Sequence, residues 1–137
     1  MKKKLNCILL IDDDEATNFI NKAVIRHLDC AETVVAVESA DEALDFLKEK
    51  IEDSYQHPDL ILLDINMPSM NGWEFLEEYK KLNHLQQAKF VIIMLTASLN
   101  PDDKSKADSI EVLDGFERKP LRAENLQGIL DKFFLEN

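Results

Sequence analysis

At 137 residues the chain has the length of one domain, able to bury roughly 70% of the surface its unfolded form exposes, and 45% apolar with 31% charged residues is the balance of a globular protein. An excess of 27 acidic over 16 basic residues, net −11, argues against direct nucleic-acid binding, which needs clustered Lys and Arg. The longest purely apolar run, residues 90–95, falls far short of the ~20 residues of a membrane helix, and Lys2, Lys3 and Lys4 lead into no signal-peptide core. A cytoplasmic location without membrane insertion is expected, with Cys7 and Cys30 as buried free thiols.

Residues 7–11 are apolar and short, the first expected strand, and end in Asp12, Asp13 and Asp14. A helix is expected over 15–28, with Ala16, Phe19, Ile20, Ala23, Val24 and His27 at helical spacing on its inner face. The β-branched run 33–37 is the second strand. Ser39 with Glu42 three residues on reads as a capping box for a second helix with Ala40, Ala43, Leu44, Leu47 and Ile51 inward. Leu60 to Leu63 are four consecutive aliphatics, too few for a buried helix and the right length for a strand covered on both faces. That strand ends in Asp64, and Met67-Pro68 followed by Asn71-Gly72 marks a turn. The third helix turns Trp73, Leu76, Tyr79 and Leu82 inward. A fourth strand spans 90–95 and ends at Thr96. Asn100-Pro101 opens a short helix over 101–108 whose one apolar anchor is Ala107. A last strand over 113–117 and a last helix over 123–134, burying Leu126, Ile129, Leu130 and Phe133, complete the chain.

Strand and helix thus alternate five times without a linker or repeat, which predicts an α/β fold: a doubly wound parallel sheet of five strands with five helices on its two faces. The flavodoxin-like strand order 2-1-3-4-5 would set strands 1 and 3 side by side, with Asp12, Asp13 and Asp64 together at their carboxyl ends, where such sheets bind ligands. Like charges at about 4 Å cost about 4 kcal/mol per pair at an effective dielectric of about 20. Either some carboxylates take up protons or a divalent cation joins them. An all-oxygen donor set without Cys or His suits Mg²⁺ rather than zinc. No glycine-rich phosphate loop is present to wrap a nucleotide; the only glycines are Gly72, Gly115 and Gly128. A carboxylate nucleophile, a metal, the Thr96 hydroxyl and the Lys119 ammonium are the parts that transfer of a single phosphoryl group requires.

Four stretches in this order, Ile11-Asp12-Asp13-Asp14, then Asp64 through Gly72, Leu95-Thr96-Ala97, and Phe116-Glu117-Arg118-Lys119-Pro120, span nearly the whole chain. Together they resemble the receiver domain of two-component response regulators, the family that includes the chemotaxis protein CheY. The resemblance implies that Asp64 is the phosphorylated residue, Asp13 a direct Mg²⁺ ligand and Asp12 a ligand through water, with the Asn66 backbone carbonyl on the same metal. It further implies that Thr96 and Lys119 contact phosphoryl oxygens, that Thr96 and Phe116 form a switch, and that Lys119-Pro120 is cis.

The implied protein is a signalling phosphoacceptor rather than an enzyme, with no catalysis beyond its own phosphorylation and dephosphorylation. Its partners would be a sensor histidine kinase or phosphotransfer protein and a downstream protein. One receiver domain over 1–137, its core about 6–135, is expected; with no room for an output domain between the last helix and Asn137, it either acts alone through a partner or is a fragment of a longer protein. Two alternatives share the fold or the chemistry. A pseudo-receiver scaffold usually lacks one of the acidic or phosphoryl-binding residues that are present here. A Mg²⁺-dependent aspartate-nucleophile phosphohydrolase of the haloacid-dehalogenase type wants an acid where Asn66 stands.

Overall fold

The computed structural model describes residues 4–50, 58–83, 91–97, 101–110 and 113–134. Along them run β1 (Leu5–Ile11), α1 (Glu15–Leu28), β2 (Ala31–Val37), α2 (Ala40–Lys50), β3 (Leu60–Asp64), α3 (Gly72–Asn83), β4 (Val91–Thr96), α4 (Pro101–Asp108), β5 (Gly115–Arg118) and α5 (Ala123–Phe133). The five strands form one parallel sheet in the order β2-β1-β3-β4-β5. Ile11 lies beside Leu63, Asp64 beside Leu95 and Thr96 beside Arg118, so the chain leaves β1, β3, β4 and β5 at one edge of the sheet.

The alternation of side chains along each strand divides the core into two layers. Leu9, Ile11, Ile61, Leu63, Ile92 and Met94 meet Leu44 and Leu47 of α2 and Phe75, Leu76 and Tyr79 of α3. On the opposite face Ile8, Leu10, Leu60, Leu62, Ile93 and Leu95 meet Ile25 of α1 and Leu126, Ile129 and Leu130 of α5. Strands β1, β3 and β4 are thus covered on both sides, as their unbroken apolar runs require. Helix α4 buries Ala107, and Ile110 just beyond it packs against the first layer.

Several expectations shift at this level. Strand β2 starts earlier, at Ala31, and β5 later, at Gly115. The Leu113 N–H still closes a turn on Ile110 O (3.2 Å), and Asp114 bridges to β4 through its own N–H to Ile92 O (2.8 Å) and its carboxylate from Ile92 N (2.9 Å). In α3 Phe75 is fully buried, whereas Trp73 is only half-buried. Phe133 of α5 is likewise half-buried. Of the other expected positions, Ile51, Phe90, Asn100 and the Leu82 side chain lie outside the described residues.

The largest correction concerns α1. The face expected to point inward is mostly outside: Phe19 is 72% and Ile20 51% exposed, and Ala16, Ala23 and His27 are exposed too. Buried in its place are Asn18, Asn21 and Ile25, with Val24 and Leu28 half-buried against the second layer. The rotation of the helix is fixed at its start. Asp14 is the N-cap, accepting from Ala16 N (3.2 Å) and the Thr17 hydroxyl (2.6 Å), and the Asn18 amide donates to Asp12 O (2.9 Å). Polar residues at inward positions mislead a periodicity reading, which assumes that the apolar face is the buried one. Ile25→Ala should lower the unfolding free energy in urea by about 2–5 kcal/mol. Phe19→Ser and Ile20→Ser should each stay within about 0.5 kcal/mol of the parent. A loss at Phe19 as large as that at Ile25 would reverse this assignment of faces.

Candidate functional site

At the end of β1 the Asp12 N–H still pairs with Val37 O (3.2 Å), so Asp12 starts from the sheet. Its side chain is buried and accepts from Asp14 N at Oδ1 (2.9 Å) and from Lys119 Nζ at Oδ2 (2.7 Å). Asp13, the next residue, is exposed. The third aspartate takes the structural role of helix cap; its carboxyl lies below the ordinary aspartate range chiefly because of the Thr17 hydroxyl bond.

Asp64 closes β3 and is 6% exposed. Its Oδ1 lies 2.9 Å from Lys119 Nζ, so one ammonium bridges Asp12 and Asp64. The chain then turns back across the strand end: Gly72 N donates to Ile65 O (2.8 Å), and a Cβ on Gly72 would lie 2.7 Å from Asp64 O and 3.0 Å from Ile65 Cα. Only glycine permits so close a return. The start of α3 is locked by a reciprocal capping box, Asn71 N to Glu74 Oε1 (3.1 Å) and Glu74 N to Asn71 Oδ1 (2.9 Å). Its Asn-x-x-Glu spacing was available in the sequence.

Lys119 is aimed from its backbone. Its N–H donates to Thr96 O (2.6 Å), tying the end of β5 to the end of β4, and the Lys119-Pro120 peptide is cis, as the family resemblance implies. Thr96 is buried at the same edge. Asn66 is exposed, two residues beyond Asp64. Phe116 lies beside Met94 in register and is partly buried against the first layer. Thr96, two residues after Met94, belongs to the same face of the sheet.

Asp12, Asp13 and Asp64 each offer a carboxylate oxygen within 4.8 Å of the others. Burial lifts the Asp64 carboxyl above the ordinary aspartate value; the Lys119 hydrogen bond opposes that lift, and the charges of Asp12 and Asp13 add to it. Burial also works against the Lys119 ammonium, but its bonds and charge pairing with Asp12 and Asp64 outweigh this and hold its pKa above the usual lysine value. Three carboxylates against one ammonium leave the crevice negative. An all-oxygen trio at this spacing fits a hard divalent cation. Asp12, both of whose oxygens already accept protein hydrogen bonds, is the member least free to give one up. The arrangement can hold a cation beside a buried carboxylate, with an ammonium and a hydroxyl at the same edge.

Comparison with known proteins agrees with this geometry. Residues 8–131 match the family model of the response regulator receiver domain. Similar curated proteins include the two-component response regulator ORR1 of rice (Oryza sativa), 31% identical over 122 residues, which are 88% of this chain and 52% of that protein. Response regulator Rcp1 of Synechocystis is 31% identical over 97 residues, 70% of this chain and 65% of that protein. This chain therefore spans about half the length of the first and less than two-thirds of the second. A crystal structure of a two-component response regulator from Cytophaga hutchinsonii is 35% identical and superposes with a TM-score of 0.87 over 95% of this chain and 97% of that one. With five parallel strands in this order and the family match over nearly its whole length, the chain belongs to the response regulator receiver domain family.

Proposed function

We propose that this chain is a phosphoacceptor that takes a phosphoryl group from a phosphohistidine onto Asp64. The observation that carries the reading is the buried Asp64 carboxylate, held at 2.9 Å by Lys119 within one cluster with Asp12 and Asp13. An Asp64 carboxylate oxygen attacks phosphorus, the P–N bond to the donor imidazole breaks, and the imidazole nitrogen keeps the electron pair. Asp12, Asp13, Asp64 and the Asn66 carbonyl would hold Mg²⁺, which when bound supplies positive charge to the transferring oxygens. Lys119, already positioned between two carboxylates, exchanges one of them for a phosphoryl oxygen. Thr96 donates its hydroxyl to another. Because the carboxylate is ionised once above its pKa, no general base is needed.

Acetyl phosphate with Mg²⁺ should add one base-labile phosphoryl mass to the chain, and chelation of the metal or Asp64→Asn should abolish it. A gain that persists in Asp64→Asn would move the acceptor elsewhere; no gain in the parent would favour a scaffold acting by protein binding alone.

The apolar stripe on α1 supports a protein donor. The helix starts at Glu15, directly after the acidic turn, and carries Phe19 and Ile20 outward within its first two turns. A phosphohistidine protein seated over Asp64 would cover them. Phe19→Ser with Ile20→Ser should slow transfer from such a donor by about tenfold, the effect of losing a modest interface hot spot. Labelling by acetyl phosphate should stay unchanged; an equal fall with both donors would mean that the substitutions damage the site itself.

The signal would leave through Thr96 and Phe116. As Thr96 moves toward the phosphoryl group, Phe116 follows on the same face, and α4, anchored by little more than Ala107, shifts with them. With beryllofluoride as a mimic of the aspartyl phosphate, amide exchange should change over α4 and β5 in the parent and much less in Thr96→Ala. Equal responses in the two proteins would exclude Thr96 as the coupling residue.

A further inference from the structure

The inward face of α1 carries an amide where a core residue would be expected. Asn18 is 5% exposed, on the buried face that it shares with Asn21 and Ile25. Its Nδ2 donates to Asp12 O (2.9 Å), while its Oδ1 meets no donor among the described residues. A half-satisfied buried amide is worse for stability than a fully paired one or an apolar side chain of the same shape. Its orientation is nevertheless unambiguous, because a flipped amide would set Oδ1 against the Asp12 carbonyl, acceptor against acceptor. The donor half is therefore the working half.

What it holds is the peptide that joins Asp12 and Asp13, two of the three clustered aspartates. On one side Asp12 is in the sheet through its N–H to Val37 O, and its carboxylate is fixed by Asp14 N and Lys119. On the other side its carbonyl shares a peptide plane with the Asp13 N–H. Asn18 is itself tied in by its own N–H to Asp14 O (3.1 Å), which closes a compact ring around that plane. Asp12 and Asp64 are both held through Lys119, whereas Asp13 is exposed and takes its direction from its backbone. We infer that Asn18 is a positioning residue for the acidic cluster: by holding the Asp12 carbonyl it fixes the Asp12–Asp13 peptide plane, and with it the direction in which Asp13 presents its carboxylate to a divalent cation. This rests on the metal reading proposed above.

The test is calorimetric titration of Mg²⁺ into the parent chain, Asn18→Leu and Asn21→Leu, with the melting temperature of each metal-free protein measured alongside. Leucine fills the space of asparagine without a donor. Loss of an outer partner of a metal ligand lowers affinity by about 10–100-fold, and Asn18→Leu should fall in that range. Asn21→Leu removes a buried amide from the same face one turn on, and its affinity should stay within about twofold of the parent, well below that 10–100-fold range. A purely structural Asn18 would move melting temperature and leave Mg²⁺ affinity alone, so parent-like affinity in Asn18→Leu overturns the assignment, as does an equal loss in Asn21→Leu. Should Asn18→Leu fail to fold, Asn18→Ala is titrated under the same criterion. Absence of Mg²⁺ binding by the parent itself would overturn the metal reading and the positioning role with it, an outcome distinct from parent binding that Asn18→Leu leaves intact.

Discussion

One ammonium between two carboxylates holds this edge of the molecule together. Asp12, Asp64 and Lys119 come from the ends of β1, β3 and β5, and without the cation three carboxylates would crowd one crevice. Such a bridge is poor evidence for stability, since burying both charges costs about as much as their attraction returns. What it provides is position. Lys119 is held at its backbone by Thr96 O and at its tip by two acids, so its charge is fixed between Asp12 and Asp64. The strand order makes this possible: β3 lies between β1 and β4, with β5 next to β4, and no other part of the chain has to be near.

Helix α1 shows the division of labour between stability and function. Its contribution to the core comes from Ile25 with part of Val24 and Leu28, in the half remote from the site. Its first two turns invert the expected pattern, with amides inward and Phe19 and Ile20 outward. Breaches of local consistency concentrate where a sequence serves something besides folding, and here the breach, at residues 18–21, begins four residues after Asp14. The same segment both holds the Asp12 carbonyl from within and leaves Phe19 and Ile20 exposed on its outer face.

What could be read from the sequence follows from what periodicity encodes. The apolar runs 7–11, 60–63 and 90–95 announce strands covered on both faces, and with alternating helices they predict the parallel sheet and the convergence of Asp12, Asp13 and Asp64. Helix α2 was equally legible, because its inner face is purely apolar. Trp73 and Phe75, two residues apart, flank the Leu76–Tyr79 stripe on opposite sides, so spacing does not choose between them, and the larger ring is the one that stays half outside. Contacts set by tertiary approach left no pattern. The return of Gly72 over Asp64 O and the grip of Asn18 on Asp12 O depend on distances between segments, which spacing along the chain does not report.

The close return at Gly72 also links the end of β3 to α4. Glycine brings the first turn of α3 onto the end of β3, and the next residue, Trp73, carries Lys106 of α4 over its ring at 4.8 Å. A cation–π contact at an exposed position is worth about 0.5–1 kcal/mol, far less than the roughly 1.5–3 kcal/mol from burying a residue such as Phe75. Helix α3 is therefore fixed to the core, and α4 rests on it through a contact that small changes can outweigh. On its other side α4 leads into β5, where Phe116 shares a face with Thr96. Among the described residues α4 itself is held by Ala107 in the core and by Lys106 on Trp73. Under the proposed function, an element held this lightly is the one that a charge added at Asp64 would move.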